Sequence, residues 1–469
     1  MIVQSMFFRP RAAQAIADSA LQKRLRQLGF AERRAQVVAD YGHESFEALR
    51  DAGAAIRDRG LACLDLWLER FEAEATRRGA VVLYAETGAE VAALVLEICS
   101  RHDLKKAIKS KSMVSEEAQL NETLAAAGVQ PVETDLGEYI IQLAGEPPSH
   151  IIAPAMHKSR EDVARLFEVH HGRPRLDEPE AMTREAREVL RGHFLSADLG
   201  ISGGNFLVAE TGSLALVTNE GNGRMVTTMP RVHIAITGIE KVIPTLEDLS
   251  TLMRLLPRSA TGQIISNYFT VITGPREAGE HEGPEHLFFI LVDNGRTRLI
   301  GGDMQEMLRC IRCGACMNHC PVYQTVGGHA YGWVYPGPMG AVLTPSFVGL
   351  ESALDLPHAA TLCGACSAVC PVKIPLPEML RKLREKQVER GLAPRSEVAA
   401  IGLWSWAARH PRAYAFLARW GVRCLRALSD RTGMIRALPF GGGWTKGRFL
   451  PAPKSGRTFR DLWAARRRA

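Results

Sequence analysis

No apolar run in the 469 residues approaches the roughly 18 that span a bilayer, which excludes a polytopic membrane chain. The opening Met1-Ile-Val-Gln-Ser-Met-Phe-Phe8 lacks the charged flank and length of a secretory leader, so a cytoplasmic location is expected. No G-x-G-x-x-G turn and no Walker loop occurs, so no motif supports a bound nucleotide. With 46% hydrophobic and 23% charged residues the chain is neither wholly disordered nor collagen-like, and at about 150 residues per domain it suggests roughly three units. Acidic residues are scarce in one place. From 391 to 469, 16 Lys and Arg face only Glu397, Asp430 and Asp461, so this tail carries +13 and the remainder −6 of the overall +7. Five of the seven tryptophans (Trp404, Trp406, Trp420, Trp444 and Trp463) stand among those arginines. Such a segment suits an interfacial membrane contact at the inner face of the membrane or a partner subunit, and nucleic acid is a poor third.

What is present is cysteine, unevenly placed. Cys63, Cys99 and Cys424 are scattered in helical or apolar stretches, where a lone cysteine acts as a small hydrophobe. The other seven form Cys310-Ile-Arg-Cys313-Gly-Ala-Cys316-Met-Asn-His-Cys320-Pro321 and Cys363-Gly-Ala-Cys366-Ser-Ala-Val-Cys370-Pro371. The first is the bacterial ferredoxin spacing, whose first three thiolates hold one cubane while the fourth reaches the neighbouring cluster. That rule assigns Cys310, Cys313, Cys316 and Cys370 to cluster 1, and Cys320, Cys363 and Cys366 to cluster 2. Aligning the runs puts Ala360 where the second should have a fourth cysteine. Cluster 2 is then either a three-iron cluster or a 4Fe-4S cubane with one corner bound by water, substrate, a distant cysteine or a side chain such as His358. A structural zinc site needs four ligands in two pairs and fits seven cysteines in this order poorly.

Along the chain, 11–78 reads as helices, exemplified by Leu61-Ala-Cys-Leu-Asp-Leu-Trp-Leu-Glu-Arg-Phe71, and is expected as an N-terminal arm against the next domain. From Ala80 short β-rich runs alternate with helical stretches, at 80–85, 105–109, 130–134, 206–209, 214–217, 232–236, 263–272 and 287–292. This predicts an α/β domain with a largely parallel sheet. Glycine-rich connections at 203–213 and 219–224 suggest loops shaping a pocket. Lys109-Ser-Lys-Ser-Met113, after a strand, suits an anion contact or a solvated strand end equally. The expected domains are 1–78, 79–300, a cysteine module at 301–390, and the basic tail at 391–469.

Lys109-Ser-Lys-Ser-Met-Val-Ser-Glu-Glu117, Glu133-Thr-Asp-Leu-Gly-Glu-Tyr-Ile-Ile-Gln-Leu143, Pro148-Ser-His-Ile-Ile-Ala-Pro154, the stretches 203–213 and 327–338 and the seven cysteines together resemble the lactate utilisation protein B family. The resemblance implies a LUD domain, of the fold shared with CoA transferases and ribose-5-phosphate isomerase. An α-helical ferredoxin module with two clusters and a helical C-terminal extension would follow it. It also implies two partners, a cysteine-rich subunit resembling heterodisulfide reductase and a second LUD protein. Ala118-Gln119 departs from the Ile-Gly expected there.

The leading expectation is an iron-sulfur electron-transfer subunit of an L-lactate oxidising complex, an oxidoreductase component whose catalytic residues are not identified, with weak substrate contacts at Lys111, Glu210 and Thr211. The alternatives are a lyase-like enzyme using an open iron of cluster 2 as Lewis acid on a hydroxy acid, and a redox sensor.

Overall fold

The computed structural model describes residues 3–26, 29–439, 441–445, 448–453 and 455–467. The chain divides into two compact units, Met1–Gln387 and Val388–Ala469.

The first unit opens with five helices: α1 (Phe8–Ala17), α2 (Ser19–Arg26), α3 (Phe30–Tyr41), α4 (His43–Ala62) and α5 (Leu64–Arg77). Phe46, Leu49, Gly53, Ile56 and Gly60 of α4 recur at three- and four-residue steps and form one buried face. Arg50 and Arg57, seven residues apart, lie on that same face and are buried with it.

Ten strands follow: β1 (Val81–Ala85), β2 (Lys106–Lys109), β3 (Gln130–Glu133), β4 (Leu199–Ser202), β5 (Phe206–Val208), β6 (Ser213–Val217), β7 (Val232–Gly238), β8 (Val242–Ile243), β9 (Phe269–Ile272) and β10 (His286–Val292). Six make a wholly parallel sheet in the order β1-β10-β7-β4-β2-β3. Alternation in β10 supplies both faces of that sheet, as expected where helices or a second layer cover each side. Leu287, Phe289 and Leu291 pack with Phe71 and Ala75 of α5 and with Leu207 and Leu214. Phe288, Ile290 and Val292 pack with Val91, Val95 and Ile98 of the helix Gly88–Arg101. Burying side chains of this size contributes about 1.5–3 kcal/mol each.

A second sheet, β8-β5-β6-β9, departs from the single sheet expected. It is mixed: β5 runs parallel to β8, while β6 is antiparallel to β5 and β9. The expected β-rich runs 206–209 and 214–217 form the β5–β6 hairpin, so the glycine-rich stretch 203–213 is strand as well as loop. Strand β4 had no β-rich signature because Gly200 sits in it, where a Cβ would stand 2.0 Å from the Val226 carbonyl oxygen of the helix packed on top. The run 263–272 forms a strand only from Phe269. Ile264 and Ile265 are 62% and 68% exposed and have β propensity without a neighbouring strand.

The cysteine region consists of short helices, Ala315–Asn318, Tyr323–Val326, Gly337–Val348, Ala365–Ala368 and Leu376–Glu389, joined by tight turns. Its spacer is buried. Tyr323 donates to the Ser149 carbonyl at 2.8 Å and Tyr335 to Glu117, which fastens this region to the parallel-sheet domain.

In the second unit, helices Arg395–Arg409 and Pro411–Ala427 precede a short antiparallel pair, Met434–Ile435 with Leu450–Pro451, and a helix Phe459–Arg466. Among the described residues no helix is long and apolar enough to cross a membrane.

Candidate iron-sulfur centre

The two cysteine runs repeat one backbone shape. Arg312 and Gly314 have φ of 58° and 75°, and Leu362 and Gly364, two positions on in each case, have 56° and 83°. Left-handed residues alternating in this way turn successive N–H groups inward, the concavity that favours bound anions and iron-sulfur sites. At Arg312 and Leu362 the conformation costs roughly 1–2 kcal/mol for want of glycine. The Arg312 guanidinium is held over the Tyr335 ring at 4.4 Å and donates to Met339 Sδ at 3.2 Å. By this repeat, Ala360 occupies the position corresponding to Cys310.

Cys310, Cys313, Cys316 and Cys370 line one small hollow, walled otherwise by Arg312 and by apolar groups including Ile311, Met339, Val372 and Leu376. Burial, then Cys370 and Cys310, pushes the Cys313 thiol up; burial pushes Cys370 up to about 11. Cys320 belongs by position to the first run but has other neighbours. Burial and then Cys320 push Cys366 up to about 12, and Cys363 adds to the shift of Cys320 itself. Cys363 is exposed. Backbone N–H groups of Tyr323 and Ile374 donate to Cys320 Sγ and Cys370 Sγ at 3.5 and 3.4 Å. Among the described residues no three His, Cys, Asp or Glu side chains gather tightly enough for a single ion. The donor set, all thiols around a hollow with N–H groups on sulfur, fits iron-sulfur clusters. His358 directs Nε2 to Gln387 at 2.8 Å.

The N-terminal helices supply cations that the sequence reading did not anticipate. Arg34 donates to the Val369 carbonyl at 3.1 Å, and Arg50 to those of Cys370 and Ser367 at 2.9 and 3.3 Å. Arg57 reaches the carbonyls of Leu308 and Arg309 at 3.0 and 3.3 Å. Lys241 caps the Cys310 carbonyl at 2.6 Å. The available signal was the seven-residue spacing of Arg50 and Arg57 within an apolar face.

Beside this centre opens a cavity of about 470 Å³, whose wall includes Lys111, Asn219, Asn222, Arg312 and Cys313. The Lys109–Lys111 stretch is therefore no solvated strand end. Lys109 is 1% exposed and donates to Glu133 at 2.7 Å and to Asn121, while Lys111 stands on the cavity wall 3.5 Å from Glu138. Burial raises Glu138 to about 8, against the pull of Lys111. Glu210 and Thr211 are not on that wall. At the β5–β6 turn Glu210 accepts from the Leu246 N–H at 2.9 Å, and Thr211 donates to Ser213 at 2.8 Å. Of the glycine-rich connections, 219–224 contributes to the cavity and 203–213 does not.

Residues 68–292 match the LUD domain, and 306–374 match the 4Fe-4S dicluster domain. The chain is 42% identical to an uncharacterized electron transport protein, YkgF, of Escherichia coli K12, over 97% of this chain and 95% of that protein. It is 42% identical to lactate utilization protein B of Bacillus licheniformis (96% and 94% covered) and 41% identical to that of Bacillus subtilis 168 (98% and 96%). A crystal structure of a DUF162 family protein from Deinococcus radiodurans aligns over 49% of this chain and 98% of its own, at 15% identity and a TM-score of 0.29. With both domains matched in order and identity above 40% along nearly its whole length, the chain belongs to the lactate utilization protein B family.

Proposed function

We propose that this protein is the iron-sulfur electron-transfer subunit of an L-lactate oxidising complex. Cys310, Cys313, Cys316 and Cys370 would hold one cluster, and Cys320, Cys363 and Cys366 a second with an open corner. The observation that carries the reading is that a cavity large enough for a small molecule shares Cys313 with the hollow lined by the first four thiols. Clusters bound there supply one-electron steps. The chain's own residues bury Cys313, Cys320, Cys366 and Cys370, direct N–H groups at sulfur and place Arg34, Arg50 and Lys241 on the surrounding carbonyls, so cations stand close to the anionic centre. The lyase alternative needs substrate at the open corner opposite Ala360, whereas the cavity touches the fully ligated side, which favours relay.

The direct test follows the visible absorbance of anaerobically purified protein on adding L-lactate, with and without the partner proteins. Bleaching that requires the partners is the expected result, and bleaching by the subunit alone, or none in the complete mixture, counts against relay. Because Ala360 replaces a thiol, electron paramagnetic resonance should find one robust cubane and one that becomes a three-iron species in air. Ala360→Cys should protect the second, and two equally air-stable cubanes would sink the assignment.

The basic unit is proposed as the docking element for the cysteine-rich and second LUD subunits. Its five tryptophans are 50–66% exposed and Phe416 and Phe459 69% and 76%, far more aromatic surface than a self-contained fold leaves in water. Truncation after Gln387 is expected to leave both clusters formed, since all seven cysteines lie upstream, and to abolish co-purification with the partners. An aromatic-anchored interface should survive high salt in the full-length protein. Steep loss of attachment with ionic strength, accompanied by binding to anionic vesicles, would identify a lipid surface instead.

A further inference from the structure

We propose that the loop 361–364 is an electron port, on which a one-electron redox protein docks with Leu362 as its apolar contact and Cys363 as the outlet of cluster 2. This rests on the relay reading and gives the relay an exit.

The two cysteine runs share a backbone shape but not a cover. In the first, the chain itself closes over the turn. A Cβ on Gly314 would stand 3.1 Å from Ile152 and 3.4 Å from Ile151, Cys313 is buried, and Arg312 is held by Tyr335 and Met339. In the second, no described residue beyond its chain neighbours comes within 4 Å of a Cβ on Gly364, and Thr361, Leu362 and Cys363 are all exposed. Polar side chains next to this loop are turned into the protein: Arg384 donates to the carbonyls of Pro357 and Ala360 at 2.9 and 3.0 Å, and His358 is bonded to Gln387 at 2.8 Å.

Leu362 is the unexpected residue of the bare turn. Its φ of 56° is left-handed, a conformation that glycine and asparagine adopt far more readily than leucine. Arg312, its counterpart in the first run, has ring and sulfur partners to hold it there, whereas Leu362 leaves 39% of its surface in water. Residues kept in costly conformations gather where function requires them. An exposed leucine adjoining a cluster ligand is of use to a partner rather than to the fold.

The first run also indicates what that partner offers. Its turn is covered by Ile151, Ile152, Tyr335 and Met339, so a surface that covers the second presents aliphatic or aromatic groups, as the cores of protein interfaces do. Electron transfer between proteins falls steeply with distance, so this surface has to lie close to the partner's own one-electron centre. In each encounter reduced cluster 2 loses one electron and that centre gains it. No bond forms or breaks.

The experiment is stopped-flow mixing of anaerobically purified, dithionite-reduced full-length protein with the cysteine-rich subunit of the proposed complex, and separately with hexaammineruthenium(III), a small oxidant that needs no docking surface. Leu362→Asn, which suits the left-handed turn, should leave the electron paramagnetic resonance of both clusters unchanged. It should slow transfer to the subunit roughly fivefold or more, the loss expected of an apolar anchor, and leave the rate to the small oxidant as it was. Leu362→Met should keep most of the rate, and Val169→Asn, at a site 70% exposed on the helix Arg160–His171, should change nothing. A wild-type rate in Leu362→Asn, an equal loss toward the small oxidant, or no transfer from wild-type protein to the subunit overturns the port. If chemically reduced protein passes electrons to the subunit while the complete mixture fails to bleach with L-lactate, the relay reading falls and the port stands.

Discussion

Replacing Cys370 by serine is expected to remove the cluster of the first cysteine run, although Cys370 belongs to the second. The hollow lined by Cys310, Cys313 and Cys316 is completed by this one residue from the distant run. Its sulfur already accepts the Ile374 N–H, and its carbonyl is held by Arg50. A serine hydroxyl is a harder, less readily ionised ligand than a thiolate, so the fourth corner is lost while the backbone stays anchored. Iron analysis of anaerobically purified protein should fall by about half, with the surviving signal that of the air-sensitive cluster. Cys320→Ser should give the complementary result, keeping the robust cubane. If each serine instead damaged the cluster of its own run, the crossed assignment would be wrong.

The second large effect is expected at Arg296, which is fully buried and joins two carboxylates. It donates to Glu117 at 2.8 and 3.2 Å and to Glu240 at 2.7 Å, and its guanidinium lies over the Phe347 ring at 5.0 Å. Glu117 also accepts from Asn294 at 2.9 Å and from Tyr335, so the network spans the parallel-sheet domain and the cysteine region. Arg296→Ala leaves two carboxylates buried without their main counter-charge. Breaking such a pair costs about 3–5 kcal/mol, well above the roughly 1 kcal/mol of an average substitution. Urea unfolding monitored by circular dichroism should register it. Adding Glu117→Gln to Arg296→Ala should recover part of the loss, and a double variant as unstable as the sum of the two singles would show that they do not interact. Acid should act on the same network. Burial alone would raise Glu240, but Arg296, Lys241 and Arg312 hold it at about 2, below its ordinary 4.5. Its contribution is complete above about 4.5 and is lost as pH falls through about 2.

The cysteine chemistry was legible because spacing along the chain determines it. Three thiols within seven residues can reach one cluster whatever the rest of the fold does. The parallel sheet was equally legible, since runs such as 287–292 are apolar on both faces. Long-range approach was not. Gly200 reads as a strand breaker until a helix carbonyl is found against it, and Arg50 and Arg57 read as an irregularity in an apolar face until the cluster loops are seen beneath them. Lys111, Glu210 and Thr211 looked equivalent as substrate contacts. Only the fold separates the one on the cavity wall from the two at a hairpin turn.

Arg50 and Cys370 lie 320 positions apart, and this sets the timetable of biosynthesis. At 5–20 residues per second, the ribosome releases α4 roughly a quarter of a minute to a minute before the loop it must grip. Through that interval Arg50 stands on the apolar face of α4 without the Ser367 and Cys370 carbonyls that receive it. The nascent amino-terminal segment is therefore a natural client for a chaperone. Completion of the first cluster has to await the emergence of Cys370, when the first helices can close over it.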